Sequence, residues 1–184
     1  MAALGETTVY RIYRTNAFSS QYFVALGDSD VPLYGIKNSR LSKLALEDIA
    51  TGRMVWQRQS SGLLSSSVKI ASPENGSLVK LREGDFFSRT ARSFDYANCS
   101  YKWRQTSLLD YHYNCIRADN NAVLASFKKK FWTLTYGHVT LHNERAWPPG
   151  LKEFIIVSLC FVVEDARRRD GKAAGEAGGD FGGI

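Results

Sequence analysis

The chain has 184 residues, 44% of them hydrophobic and 12% aromatic. It is long enough to bury a substantial single core, and too apolar to be disordered throughout. The formal net charge is +6; residues 171–184 carry Lys172 against Glu176 and Asp180, which leaves +7 on residues 1–170. A basic body of this kind permits anionic partners without choosing among them.

The opening Met1-Ala2-Ala3-Leu4-Gly5-Glu6 has neither the basic nor the apolar region of a secretory signal, and no myristoylation or prenylation pattern is present. Residues 1–7 are therefore expected to be a flexible start. The three cysteines, Cys99, Cys115 and Cys160, include no Cys-x-x-Cys pair. They read as reduced thiols, which places the protein in the cytosol or nucleus, with peripheral membrane attachment open to it.

Short strands separated by turn residues follow. Val9–Arg14 opens the series, then Tyr22–Leu26 and Leu33–Ile36, with Gly27-Asp28-Ser29-Asp30 and Asn38-Ser39 between and after them. Leu44–Ile49 and Met54–Gln57 flank Ala50-Thr51-Gly52, a hairpin signal. A strand within Leu63–Ile70 precedes the turn Pro73-Glu74-Asn75-Gly76. In the second half Cys99, Tyr101 and Trp103 alternate with Ser100, Lys102 and Arg104, which gives one apolar and one polar or cationic face. Tyr111–Ile116 alternates likewise, and Asp119-Asn120-Asn121 turns into Val123–Phe127. Phe131–Tyr136 and His138–Leu141 read as a hairpin about Gly137. Residues 46–56 and 115–125 share a strand–turn–strand style, a faint sign of two related halves.

Trp147-Pro148-Pro149-Gly150 ends the strands and suits a helix start, since the N–H that proline lacks has no partner in a first turn. The helix is expected over about 149–168, closing on Arg167-Arg168-Arg169, where cations favour the negative end of the dipole. Its segment Phe154–Val163 holds no charge and a single hydroxyl, Ser158, so it has no polar face. Ten residues rise roughly 15 Å, about half of a bilayer core, so the segment is not a membrane span. Residues 171–184 hold six glycines and three alanines, and 170–184 are expected to form a disordered tail.

About ten strands and one helix apolar all round pose a packing problem, because a sheet covers a helix on one side only. A sheet closed into a wide barrel around the helix removes both the exposed side and the sheet edges. The expected fold is thus mainly β, a closed antiparallel barrel around a buried C-terminal helix, in one domain over residues 8–169.

The hairpin Leu44–Trp56, the strand Tyr101-Lys102-Trp103-Arg104 and the closing segment Leu151–Arg169, apolar and then arginine-rich, give the chain a likeness to a known group. It resembles the tubby C-terminal-like superfamily, which includes plant LURP-one-related proteins and phospholipid scramblases, and most of all its uncharacterised fungal members of unknown function. The resemblance implies twelve strands around a central helix and no settled activity. Scramblase-like members have an acidic, calcium-binding segment before the helix. Here that region reads His142-Asn143-Glu144-Arg145-Ala146-Trp147, with one carboxylate where Ca²⁺ wants about six to eight oxygens. Tubby proteins bind phosphoinositides through basic residues outside the barrel.

Two cationic groups are candidates for such contact. Lys102 and Arg104 share one strand face, about 7 Å apart, and could grip a phosphate; the alternative is a solvated exterior. Lys128-Lys129-Lys130 followed by Phe131-Trp132 has the make-up of an interfacial patch, or else of an edge-protecting turn. His138 and His142 stand four apart on strand and turn without an HExxH pattern, and with Cys115 and His112 they match no zinc framework. No nucleophile elbow and no phosphate-cradling glycine loop is present. These features predict a non-enzymatic binding module without cofactor or metal. Its expected partner is anionic phospholipid or phosphoinositide headgroups; the alternative is a protein-interaction scaffold or regulatory protein, with an enzyme of unrecognised site third; nucleic acid is not expected.

Overall fold

A computed structural model describes residues 6–16, 21–37, 44–59, 67–84, 90–107, 111–130 and 134–177, the side chains of Thr90 and of residues 167–177 excepted. Twelve strands form the body: β1 Thr7–Tyr13, β2 Gln21–Leu26, β3 Pro32–Lys37, β4 Ala45–Asp48, β5 Met54–Gln59, β6 Ser67–Ala71, β7 Leu78–Glu83, β8 Thr90–Tyr96, β9 Cys99–Gln105, β10 His112–Arg117, β11 Val123–Lys129 and β12 Thr135–His142. Each pairs antiparallel with its neighbours in sequence, and β1 pairs with β12 from Thr7↔His142 to Tyr13↔Thr135, so the sheet closes. The expected closed barrel around a C-terminal helix is the fold of this protein.

Alternation sorts the side chains. Along β9 Tyr101 and Trp103 point inward and are buried, while Ser100, Lys102 and Arg104 point out. Along β12 Val139 and Leu141 point in, and His138, Thr140 and His142 out. The helix α1, Leu151–Ala177, threads the barrel. Leu151 and every residue from Phe154 to Val163 are at most 3% exposed. Phe154 packs on Trp56 and Phe94, with ring centroids 5.0 and 4.8 Å away. The single hydroxyl of the apolar run is also spent inside: Ser158 Oγ donates to the Ile155 carbonyl at 3.1 Å and accepts from Trp103 Nε1 at 2.9 Å.

The helix starts where backbone geometry allows it. Gly150 adopts φ +80°, and a Cβ there would lie 2.6 Å from the Tyr96 hydroxyl. That hydroxyl in turn donates to the Pro149 carbonyl at 2.6 Å. Only glycine fits both the left-handed conformation and the space.

Several expectations shift. Gly137 is no turn: it lies inside β12, where a Cβ would sit 2.5 Å from the Phe127 ring and 2.6 Å from the Lys128 carbonyl. Its role is close approach of two strands, not chain reversal. Phe131 and Trp132, the first half of that supposed hairpin, and residues 63–66 of the expected Leu63–Ile70 strand lie outside the described residues. The strands β7 and β8 have no counterpart in the sequence reading. β1 begins at Thr7, one residue inside the expected flexible start. The helix continues to Ala177, past the expected end near Arg168 and into the supposed tail, of which residues 178–184 lie outside the described set. Extending a helix already nucleated in the barrel adds hydrogen bonds without a new nucleation cost, and Ala173, Ala174 and Ala177 offset Gly171 and Gly175.

Burying each large apolar side chain contributes roughly 1.5–3 kcal/mol, so the ten-residue run outweighs a typical net stability of about 5–15 kcal/mol. A fragment ending at Gly150 is therefore expected to show no cooperative thermal transition by circular dichroism; a cooperatively folded fragment would contradict the central role of α1. Gly137→Ala should lower stability by about 1–3 kcal/mol in denaturant titration, since besides the Phe127 ring the added Cβ meets the Lys128 carbonyl, which is backbone and cannot rotate away.

Candidate anion-binding face

The helix is packed by buried side chains of the barrel, and polar contacts gather where it enters and leaves. At the start of α1, Tyr34 donates to Glu153 at 2.8 Å and Tyr10 to Glu144 at 3.2 Å. Burial, and then the adjacent carboxylates, push both phenols well above their ordinary value. At the other end Tyr22 and Tyr136 donate to the buried Glu164 at 3.1 and 3.3 Å, and Arg14 donates to the Tyr22 hydroxyl. Arg92, inward-facing and buried, pairs with Asp165 at 2.6 Å, and its guanidinium stands 5.3 Å from the Phe161 ring centroid. These charges hold the helix rather than a ligand.

The exterior of β9–β12 is different in kind. Strand register lines up side chains that are far apart in sequence. One outward row reads Arg104, Asn114, Ser126, Thr140 and Val9 across β9, β10, β11, β12 and β1. The neighbouring row reads His112, Lys128, His138 and Arg11. Neither row contains a carboxylate. Over β9–β11 lies a groove of about 450 Å³, lined by Arg104, Gln105, Thr106, Asn114, Ile116, Asn121 and Val123.

Of the sequence candidates, Lys102, Arg104, Lys128 and Lys130 share this exterior, and among the described residues none of them has a carboxylate within ion-pair distance. Lys102 lies about 7 Å along β9 from Arg104, and Lys128 about 12 Å diagonally across β10 from it. Lys129 departs from the group. Alternation turns it to the opposite side of β11, where its ammonium stands 4.1 Å from the Tyr111 ring centroid and 5.9 Å from that of Tyr136. The run of three lysines is thus split by the strand period, two out and one in.

Three residues that sequence reading did not place in a basic patch join it: Arg11, His112 and His138. Arg11 is tied down, donating to the Ser29 carbonyl at 2.7 Å and pairing with Asp30 at 3.1 Å. Burial and the Lys130 ammonium push His138 below its ordinary value; Asp28 opposes that and Arg11 adds to it. No periodicity within one strand could reveal a row that runs across four.

Other chemistry has little footing in the geometry. Cys115 and Cys160 are buried and their thiols are pushed far above the ordinary value by burial, which suppresses the thiolate a nucleophile needs. Among the described residues no three His, Cys, Asp or Glu side chains gather as metal ligands. Among them, too, no helix is long and apolar enough to cross a membrane.

No family model matches the sequence, and no curated protein matches it at a significant level. A solved structure does. The chain is similar to the X-ray structure of the Arabidopsis thaliana protein AT5G01750, with a TM-score of 0.59 and 13% identity over 89% of this chain and 93% of that one. What the two share is the fold.

The contrast between engaged ends and open exterior is testable through stability. Arg92→Met leaves Asp165 half-buried without its partner and is expected to cost about 3 kcal/mol. Lys128→Met removes an exposed, unpaired cation and should change stability by less than about 0.5 kcal/mol. Chemical denaturation of the two variants separates the roles.

Proposed function

We propose that the protein is a non-enzymatic binding module that docks on anionic phospholipid surfaces, phosphoinositide-bearing ones included, through the exterior of β9–β12. The observation that carries this reading is the set of cations Lys102, Arg104, Lys128 and Lys130 on one face beside a polar groove, with no carboxylate among the described residues within ion-pair distance of them. Unpaired cations at about 7–12 Å spacing match the spread of phosphate groups on a membrane better than any single small anion. Arginine at the groove supplies a fork for bidentate phosphate contact, and the lysines supply point charges around it. The tubby-like resemblance of the Leu44–Trp56 hairpin points the same way, since tubby proteins engage phosphoinositides from the barrel exterior. On this reading the protein works at the cytoplasmic face of a membrane, without inserting a helix.

A protein-binding scaffold is the second reading, favoured by a separate surface. Leu26, Val31 and Leu33 are 49%, 70% and 41% exposed around the β2–β3 turn, whose Asp30 pairs with Arg11.

Vesicle sedimentation decides between them. Binding is expected to vesicles containing phosphatidylserine or phosphoinositide, to weaken with added salt, and to be absent from phosphatidylcholine alone. Near an anionic leaflet each basic residue contributes about 1 kcal/mol, so Arg104→Ala and Lys128→Ala should each weaken binding roughly fivefold. Lys129→Ala should have little effect, because its ammonium is engaged by Tyr111. Absence of salt-sensitive binding to any anionic vesicle would remove the lipid reading and leave the scaffold.

A further inference from the structure

We propose that the row His112–Lys128–His138 makes this membrane contact proton-coupled: docking on a phosphate-rich lipid surface draws protons onto the two imidazoles, and the contact strengthens as pH falls. The inference rests on the lipid reading and adds to it a regulation of the same face.

His112 on β10 stands directly opposite Lys128 on β11, and Lys128 stands directly opposite His138 on β12. Alternation turns all three outward. Partners directly opposite on one face of a sheet have Cβ atoms about 5 Å apart, so protonating both imidazoles sets three positive charges in a line. In the free protein such a line of charges is self-repelling. A layer of anionic headgroups over the row reverses the balance, because it stabilises each added charge.

The surroundings of His138 support the same direction. His138 is faced by Arg11 from β1, by Lys128 from β11, by Lys130 just past the end of β11, and by Asp28 from the β2–β3 turn. Its downward shift leaves it neutral at physiological pH, with burial and Lys130 as the leading causes. Asp30, the other nearby carboxylate, is occupied by Arg11. His112 is faced by Lys128 from β11, while on the β9 side its carbonyl accepts from the Thr106 N–H at 3.0 Å and the Thr106 hydroxyl at 3.3 Å. No other side-chain type changes charge between about pH 5 and 8 at its ordinary value.

The sign follows from linkage. If docking raises the imidazole values above those of the free protein, the docked state holds more protons. Affinity then rises as pH falls through the docked-state values and levels off below the free-state ones. Carboxylates elsewhere on the surface titrate lower and do not move it in this window. A third histidine provides an internal control. His142 also faces out from β12, but it stands opposite Thr7, about 13 Å along the strand from His138 and outside the row.

The test uses the full chain and vesicles of phosphatidylcholine with and without phosphatidylserine, whose charge is constant over the range, at about pH 5.5 and 7.5 and fixed ionic strength. Binding should be roughly five- to thirtyfold tighter at the lower pH, from one or two added charges. The double variant His112→Gln/His138→Gln should bind like the parent at the higher pH and lose the gain, while His142→Gln keeps it. Circular dichroism at both pH values checks that each variant is folded. Equal affinity at both pH values, a gain that survives in the double variant, or a gain lost in His142→Gln overturns the proton coupling and leaves the lipid contact standing. Absence of binding at both pH values removes the lipid reading and the coupling with it.

Discussion

An α-helix without a polar face can be buried on every side only if the sheet around it closes. That condition governs this molecule. The run Phe154–Val163 needs apolar partners through the full circle, and twelve strands meeting at β1 and β12 provide them. The inward positions of the strands are correspondingly large and apolar, Trp56, Phe94, Trp103, Tyr113 and Phe127 among them, and they fill the space between sheet and helix. The helix is therefore a structural part of the barrel rather than an appendage to it, and the usual place for a ligand in a wide barrel is taken.

The same constraint explains the polar residues inside. A helix entering and leaving a closed barrel passes two boundaries between apolar core and solvent, and each is marked by tyrosines whose hydroxyls reach carboxylates: Tyr10 and Tyr34 at its start, Tyr22 and Tyr136 near Glu164. Tyrosine suits the position because its ring packs inward while its hydroxyl meets the charge. The inward-facing Arg92 completes the far boundary by pairing with Asp165. Charged groups at these ends are largely engaged, whereas among the described residues Lys102, Arg104, Lys128 and Lys130 on the outside of β9–β12 have no carboxylate within ion-pair distance.

Much of this was legible in the sequence because it follows from local pattern. The ten-residue apolar run, the Pro148-Pro149-Gly150 start and the alternation around Tyr101-Lys102-Trp103-Arg104 each report directly on burial. The failures are equally physical. β8 escapes notice because its inward set includes Arg92, a charge at a core position, and β7 because only Val79 and Leu81 face the core among Lys80, Arg82 and Glu83. Gly137 reads as a turn because glycine is most often needed for conformation. Here it is needed for volume, against Phe127, a residue ten positions away in sequence and adjacent only through pairing. The candidate site was half visible: Lys102, Arg104 and Lys128 follow from alternation, while His112, His138 and Arg11 join them only through cross-strand register.

The lysine run shows why that distinction bears on function. Read as a string, Lys128-Lys129-Lys130 is one block of charge. Folded, the strand period divides it, sending Lys129 to the ring of Tyr111 and leaving Lys128 and Lys130 outside. What replaces the missing charge on the outer face comes from other strands, and it comes as imidazole. A patch built from three consecutive lysines would carry the same charge at every physiological pH. A patch in which two lysines stand beside His112 and His138 is, on the proposed reading, one whose charge responds to an anionic layer above it. Sheet register, rather than the run of lysines, decides which cations share the outer face.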